Sequence, residues 1–109
     1  MATKATQSKP LSIEDILQVI RDNREALVRM GARRVGLFGS FARGEADESS
    51  DIDLLVEFAE GKKTFDNFME LCFFFEDLFG RNVDVLTSSS LNPHLQQQIG
   101  TEVRYEKLQ

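Results

Sequence analysis

The stretch GLFGSFARGEADESSDIDLLVEF, residues 36–58, decides how this chain is read. Val35-Gly36-Leu37-Phe38 is a short, fully apolar run that reads as a buried strand. It stops abruptly at Gly39-Ser40, and Phe41-Ala42-Arg43 fits one helical turn. Asp47 to Ser50 is polar loop. Ile52 to Phe58 then reads as a second strand, rich in branched side chains and interrupted by acids at alternating positions. A strand, a glycine-serine turn, a polar loop and a second strand bearing carboxylates form the frame around which the remaining elements are placed.

Upstream, Ser12 suits a helix N-cap with Asp15 three residues on, and Ile13, Ile16, Leu17, Ile20, Leu27 and Met30 mark one apolar face. The spacing predicts a helix over 12–30, ended by Gly31, and a flexible tail over 1–11. Downstream, Gly61-Lys62-Lys63 turns the chain into a helix of about 64–79, in which Phe65, Phe68, Cys72, Phe75 and Phe79 repeat at helical spacing and Gly80 caps the end. Asn82 to Thr87 is a third strand with Asp84 at its centre. Asn92-Pro93 starts a last helix over 93–103, followed by a short extended tail through Tyr105. The expected fold is a small α/β (α+β) domain, a mixed sheet flanked by helices.

At 109 residues the chain has room for one domain and one core, so a large substrate has to be met by a second protein or a second copy. The net charge of -5 has the wrong sign for gripping phosphate backbones, and no direct binding of nucleic acid is expected. The excess is local. Between Glu45 and Glu60 stand seven acids and no base, whereas the rest of the chain holds eleven acids and thirteen bases. Such a stretch repels itself unless something cationic sits there. The single cysteine, Cys72, lies in an apolar run and reads as a buried, inert thiol. With no signal-peptide pattern and no apolar run near membrane-spanning length, a soluble cytoplasmic protein is expected.

Residues two apart on a strand share a face, so Asp51 and Asp53 are expected to project side by side, with Cα atoms ~6–7 Å apart. A hard divalent cation bound through oxygens relieves that repulsion, and Mg2+ commonly uses one or two carboxylates together with substrate phosphates. Asp84 brings a third carboxylate if strands 51–58 and 82–87 are neighbours. Gly39-Ser40 stands opposite: glycine lets backbone approach a ligand closely, and exposed N–H groups with a hydroxyl beside them cradle an anion. Metal on one side and phosphate on the other is the layout of metal-assisted phosphoryl or nucleotidyl transfer.

Gly39-Ser40, ten residues, and then Asp51-Ile52-Asp53 resembles the signature of the DNA polymerase beta-type nucleotidyltransferase superfamily. The closer resemblance is to the minimal nucleotidyltransferases, the MNT domains. It covers residues 12–109: leading helix, glycine-serine turn, Asp-x-Asp strand, the third acid in Val-Asp-Val, and a short last helix ending in a Val-Arg-Tyr-Glu tail. The resemblance implies a polymerase beta-like fold and an antitoxin whose partner is a HEPN-domain ribonuclease toxin, joined in a hetero-oligomer. It further implies inactivation of that toxin by transfer of AMP from ATP to a toxin tyrosine, with two Mg2+ ions. It assigns Gly39 and Ser40 to the triphosphate, Asp51 and Asp53 to both metal ions, and Asp84 to the catalytic metal site, where it helps deprotonate the attacking hydroxyl. Arg43 is placed to add positive charge to the phosphates, and Glu45 to hold Arg43 or the waters of the metal.

Other residues read more plainly. Glu45, Asp47 and Glu48 read as loop solvation rather than ligands, Arg43 reads equally as a surface cation near that acidic loop, His94 suits a surface or capping position, and Tyr105 suits packing. The helix 64–79 carries six of the nine phenylalanines, more than one sheet contact needs. A second strip, Phe73, Phe74 and Leu78, is expected to serve toxin binding or self-association. A reading of a different class also stands: an antitoxin that neutralises by binding and occlusion, with its metal site a relic.

Overall fold

The computed structural model describes residues 12–108, and the tail expected over 1–11 lies outside the described residues. Ser12 opens helix α1 (Ile13–Asp22) with a complete capping box: its hydroxyl accepts the Asp15 N–H at 3.1 Å, and its own N–H donates to the Asp15 carboxylate at 3.1 Å. The helix expected to run to residue 30 breaks at Asn23. There the side-chain amide donates to the Val19 carbonyl at 2.8 Å, and the backbone leaves helical geometry at ψ 18°. Asn side chains compete in this way for backbone partners. A short helix α2 (Arg24–Arg29) follows.

Four strands form one mixed sheet: β1 (Ala32–Phe38), β2 (Ile52–Phe58), β3 (Val83–Thr87) and β4 (Arg104–Lys107), in the order β3-β2-β1-β4. β1 runs antiparallel to both β2 and β4, while β2 and β3 are parallel. A parallel pair needs a crossover, and helix α4 (Phe65–Phe79) supplies it. Between β1 and β2 lies a single helical turn, α3 (Gly39–Arg43). The last helix, α5 (Pro93–Gly100), is shorter than expected. Gly100 is a poor helix former, and the segment beyond Glu102 instead pairs with the open edge of β1 as β4, so the expected tail is a fourth strand.

Alternation along the strands sorts the two faces. Val35 and Leu37 of β1, Ile52, Leu54 and Val56 of β2, and Val83 of β3 enter one core with Ile16, Leu17 and Ile20 of α1, Leu27 of α2, and Leu71 and Phe75 of α4. Phe75 is fully buried, stacked on Phe79 and edge-on to Phe74. Phe65, expected on this face, is instead 76% exposed in the first turn of α4, beside a shallow apolar hollow that it lines with Phe68, Val85 and Leu86. The opposite face of the sheet carries Arg34, Gly36 and Phe38 in register with Glu57, Leu55 and Asp53. Val103 and Tyr105 lie over Gly36 so closely that a Cβ there would stand 2.6 Å from Val103 and 2.8 Å from the Tyr105 ring. Among the described residues no helix is long and apolar enough to cross a membrane.

Because Phe75 lies on the seam between α4 and the sheet, Phe75→Ala is expected to cost about 3–5 kcal/mol of folding free energy. Urea titration followed by circular dichroism measures it.

Candidate active site

The site is built where β1 ends and β2 and β3 begin, at one end of the sheet. On β2, Asp53 stands between the buried residues Ile52 and Leu54, so its side chain points away from the core. The parallel register sets Asp53 directly beside Asp84, and the antiparallel register sets it beside Phe38, the last residue of β1. The two carboxylates are therefore neighbours on one face. Their environment shows in the titration of Asp53, which is pushed up from its ordinary 3.8 to about 6. Burial is the largest cause; the charge and hydrogen bond of Asp84 and the charge of Asp51 add to it, and Arg43 opposes it.

Asp51 immediately precedes the first residue of β2 and is exposed, and its charge bears on Asp53. Among the described residues no group of three or more His, Cys, Asp or Glu side chains is gathered tightly enough to hold a metal ion. The structure pairs Asp53 with Asp84 and leaves Asp51 at the rim.

Gly39, just past the end of β1, packs against Asp53. Its φ is +78°, in the region that favours glycine, and a Cβ would lie 2.0 Å from the Asp53 carboxylate. No other residue fits there. Ser40 follows half-buried, its carbonyl accepting the Glu45 N–H at 2.9 Å to close the turn. Phe41 anchors α3 in the core at 4% exposure, with the Arg81 guanidinium 5.4 Å from its ring centre. Arg81 also donates to the Ser50 carbonyl at 3.0 Å, which ties the loop before Asp51 to the same anchor. Inside that loop Asp47 accepts from the Ser49 N–H and both serine hydroxyls, an organising role rather than plain solvation.

Arg43 ends α3 held between two carboxylates, Glu45 at 2.9 Å and Glu102 at 3.2 Å. Holding Arg43 is thus what Glu45 does here. Glu102 also accepts the Gly39 N–H at 2.8 Å. Sequence reasoning missed it, because a helix drawn over 93–103 gives it a solvated position. The signal lay in strand pairing: Leu37 faces Arg104 and Gly36 faces Tyr105, and continuing that register brings Glu102 opposite Gly39. His94, at the start of α5, is exposed.

Comparison with known proteins identifies the family to which this mixed α/β fold belongs. The family model of the nucleotidyltransferase domain matches residues 15–105, and the chain belongs to that family. A Methanocaldococcus jannaschii chain assigned as a candidate protein adenylyltransferase, MJ0435, is 46% identical over 76 residues, covering 70% of this chain and 81% of its own. The protein adenylyltransferase MntA of Thermococcus cleftensis is 38% identical over 96 residues, covering 87% of this chain and 96% of its own. Among solved structures, a toxin-antitoxin crystal structure with AMP-PNP contains a chain 26% identical, with a TM-score of 0.63, covering 87% of this chain and 72% of its own.

The raised value of Asp53 has a stability consequence whose sign is fixed. The folded chain binds that proton more tightly than the unfolded chain, so ionised Asp53 destabilises the fold at pH above about 6, and the cost fades as pH falls toward 3.8. Asp53→Asn is expected to raise the melting temperature of the ligand-free protein at pH 7.5 by about 5 °C. The gain should vanish near pH 4; thermal melts across that range check it.

Proposed function

We propose that this chain is the antitoxin of a toxin-antitoxin pair and a protein adenylyltransferase that moves AMP from ATP onto a tyrosine of a HEPN ribonuclease toxin in the cytoplasm. The observation that carries the reading is Asp53, paired with Asp84 on the next strand and packed against Gly39, because it sets acids beside a backbone turn able to accept an anion. The AMP-PNP in the related toxin-antitoxin structure and the activity in the name of the Thermococcus relative support it.

In this reading the Gly39 N–H and Ser40 receive the triphosphate, and Arg43 adds positive charge to it. Asp84 takes the proton of the tyrosine hydroxyl, whose oxygen forms a bond to the α-phosphorus as the bond from that phosphorus to the bridging oxygen breaks and pyrophosphate leaves. Asp53 and Asp84, joined by Asp51 once cations and nucleotide arrive, would hold two magnesium ions, with substrate phosphates completing the ligands. The fit rests on Asp53 being pressed by burial and by its acidic neighbours toward keeping a proton, the strain a bound cation relieves. Magnesium bound there would lower the pKa of the acceptor hydroxyl and neutralise the leaving pyrophosphate. The protein itself positions the reactants.

The partner surface in this proposal is on α4. Phe73, 63% exposed, lines an open hollow with Met30 and Phe74, rimmed by Glu70, Glu76 and Asp77. Phe74 is itself partly buried against the core, so the contact strip centres on Phe73. A second copy meeting this face about a two-fold axis brings the acidic rim against itself, which weighs against self-association here. A protein that grips RNA carries positive charge, and such a partner complements the rim.

Incubation with labelled ATP, Mg2+ and the partner toxin is expected to label the toxin, and Asp53→Asn or Asp51→Asn to cut the rate at least about 100-fold. Neutralisation of the toxin by an Asp51/Asp53 double variant, with no label transferred, would replace catalysis by occlusion. Phe73→Asp is expected to abolish co-purification with the toxin while leaving the melting temperature within about 2 °C. Co-purification at native yield would remove the α4 surface from the proposal.

A further inference from the structure

Glu102 holds two of the three groups that the proposed function reserves for phosphate, the Gly39 N–H and Arg43. Its carboxylate accepts the Gly39 N–H at 2.8 Å and lies 3.2 and 3.3 Å from Nη1 of Arg43. It does so from partial shelter, with 18% of its side chain exposed, so the charge is not dispersed into bulk water. An anion already seated on an N–H and a guanidinium competes with any second anion in two ways. It occupies the donors, and it repels a triphosphate at close range in a setting where charges are weakly screened.

The placement follows from the fold. Glu102 lies in the short link between the end of α5 and the start of β4, where its own N–H and that of Val103 both bond back to the Ile99 carbonyl at 2.9 Å. The backbone is therefore pinned, while the side chain reaches across to Gly39. Release needs only rotation of the Glu102 side chain, with no change in the sheet.

We propose that Glu102 is a resident anion in the triphosphate subsite: it satisfies Gly39 and Arg43 in the ligand-free chain, and nucleotide binds only by displacing it. The proposal rests on the nucleotidyl-transfer reading of the same site. It makes Glu102 a residue that sets nucleotide affinity without touching the reacting atoms. Displacement also frees Arg43 from one of its two carboxylates, so the guanidinium turns toward phosphate as Glu102 leaves.

The sign of the effect separates this role from a structural one. If Glu102 were a strut that shapes the glycine turn and aims Arg43, its removal would loosen both and weaken nucleotide binding. As a competitor, its removal strengthens binding. The test uses Glu102→Gln, which keeps an oxygen for the Gly39 N–H and loses the charge, and Glu102→Ala, which loses both. Calorimetric titration with Mg·ATP, and with inorganic tripolyphosphate to isolate the phosphate subsite, is expected to give a Kd about 5- to 20-fold lower than that of the unaltered protein in both variants. Turnover with the toxin is expected to show a matching fall in KM with kcat changed by less than about twofold. Equal or weaker binding in the variants, where the unaltered chain binds Mg·ATP, overturns the role of Glu102 and leaves the nucleotidyl-transfer reading standing. Absence of binding by the unaltered chain and both variants overturns that reading and this one together. Binding gained only on removing Glu102 supports both.

Discussion

Two carboxylates are held side by side on adjacent parallel strands, and the rest of the structure is arranged so that they stay there. Asp53 beside Asp84 is a repulsive pairing, and burial makes it worse. It persists because the same register commits Ile52, Leu54, Val56 and Val83 to the core on the other face. A slip by one residue would turn every one of those apolar side chains to the wrong side. Burial of four such side chains is worth about 1.5–3 kcal/mol each, which outweighs the discomfort of one half-buried carboxylate. The site's electrostatic strain is thus stored against the hydrophobic packing directly behind it.

The negative balance of the chain is concentrated around that pair. Asp51 adds its field, while Glu45 and Glu102 close on Arg43, the cation nearest the glycine turn. A triphosphate approaching alone meets repulsion from three aspartates and from Glu102. In the proposed reading, divalent cations arriving with it would reverse the sign at the aspartates, while Glu102 has to be displaced. Nucleotide entry would then be helped by cations on one side of the site and opposed by a movable protein charge on the other.

Much of this was legible from residue patterns, and most of what was not depends on partners far away in the chain. Short-range signals served well: the Ser12 capping box, the Gly80 end of α4, the Asn92-Pro93 start of α5, and alternation in β2 all lie where sequence placed them. Gly39 could be singled out because an abrupt glycine after an apolar strand marks close approach, although the Asp53 oxygen that it makes room for could not be read. The break at Asn23 is local, made by a bond to Val19 that periodicity does not weigh. Other misplaced features were settled by distant partners: Phe65 lies exposed at the margin of β3, and β4 exists only because β1 offers it an edge. Glu102 belongs to this group. Its neighbours in sequence say nothing of Gly39, and only the antiparallel register of β4 on β1 brings the two together.

That register also orders events in time. β4 is made after every described element that it packs against, and its partner strand β1 is among the first to be made. Until β4 docks, Gly36 lacks the cover of Val103 and Tyr105, and the Gly39 N–H and Arg43 stand without Glu102. The carboxylate that closes the glycine turn is thus delivered by strand pairing: with β4 undocked the turn would stand open to anions, and the docking of β4 on β1 is what brings Glu102 to it.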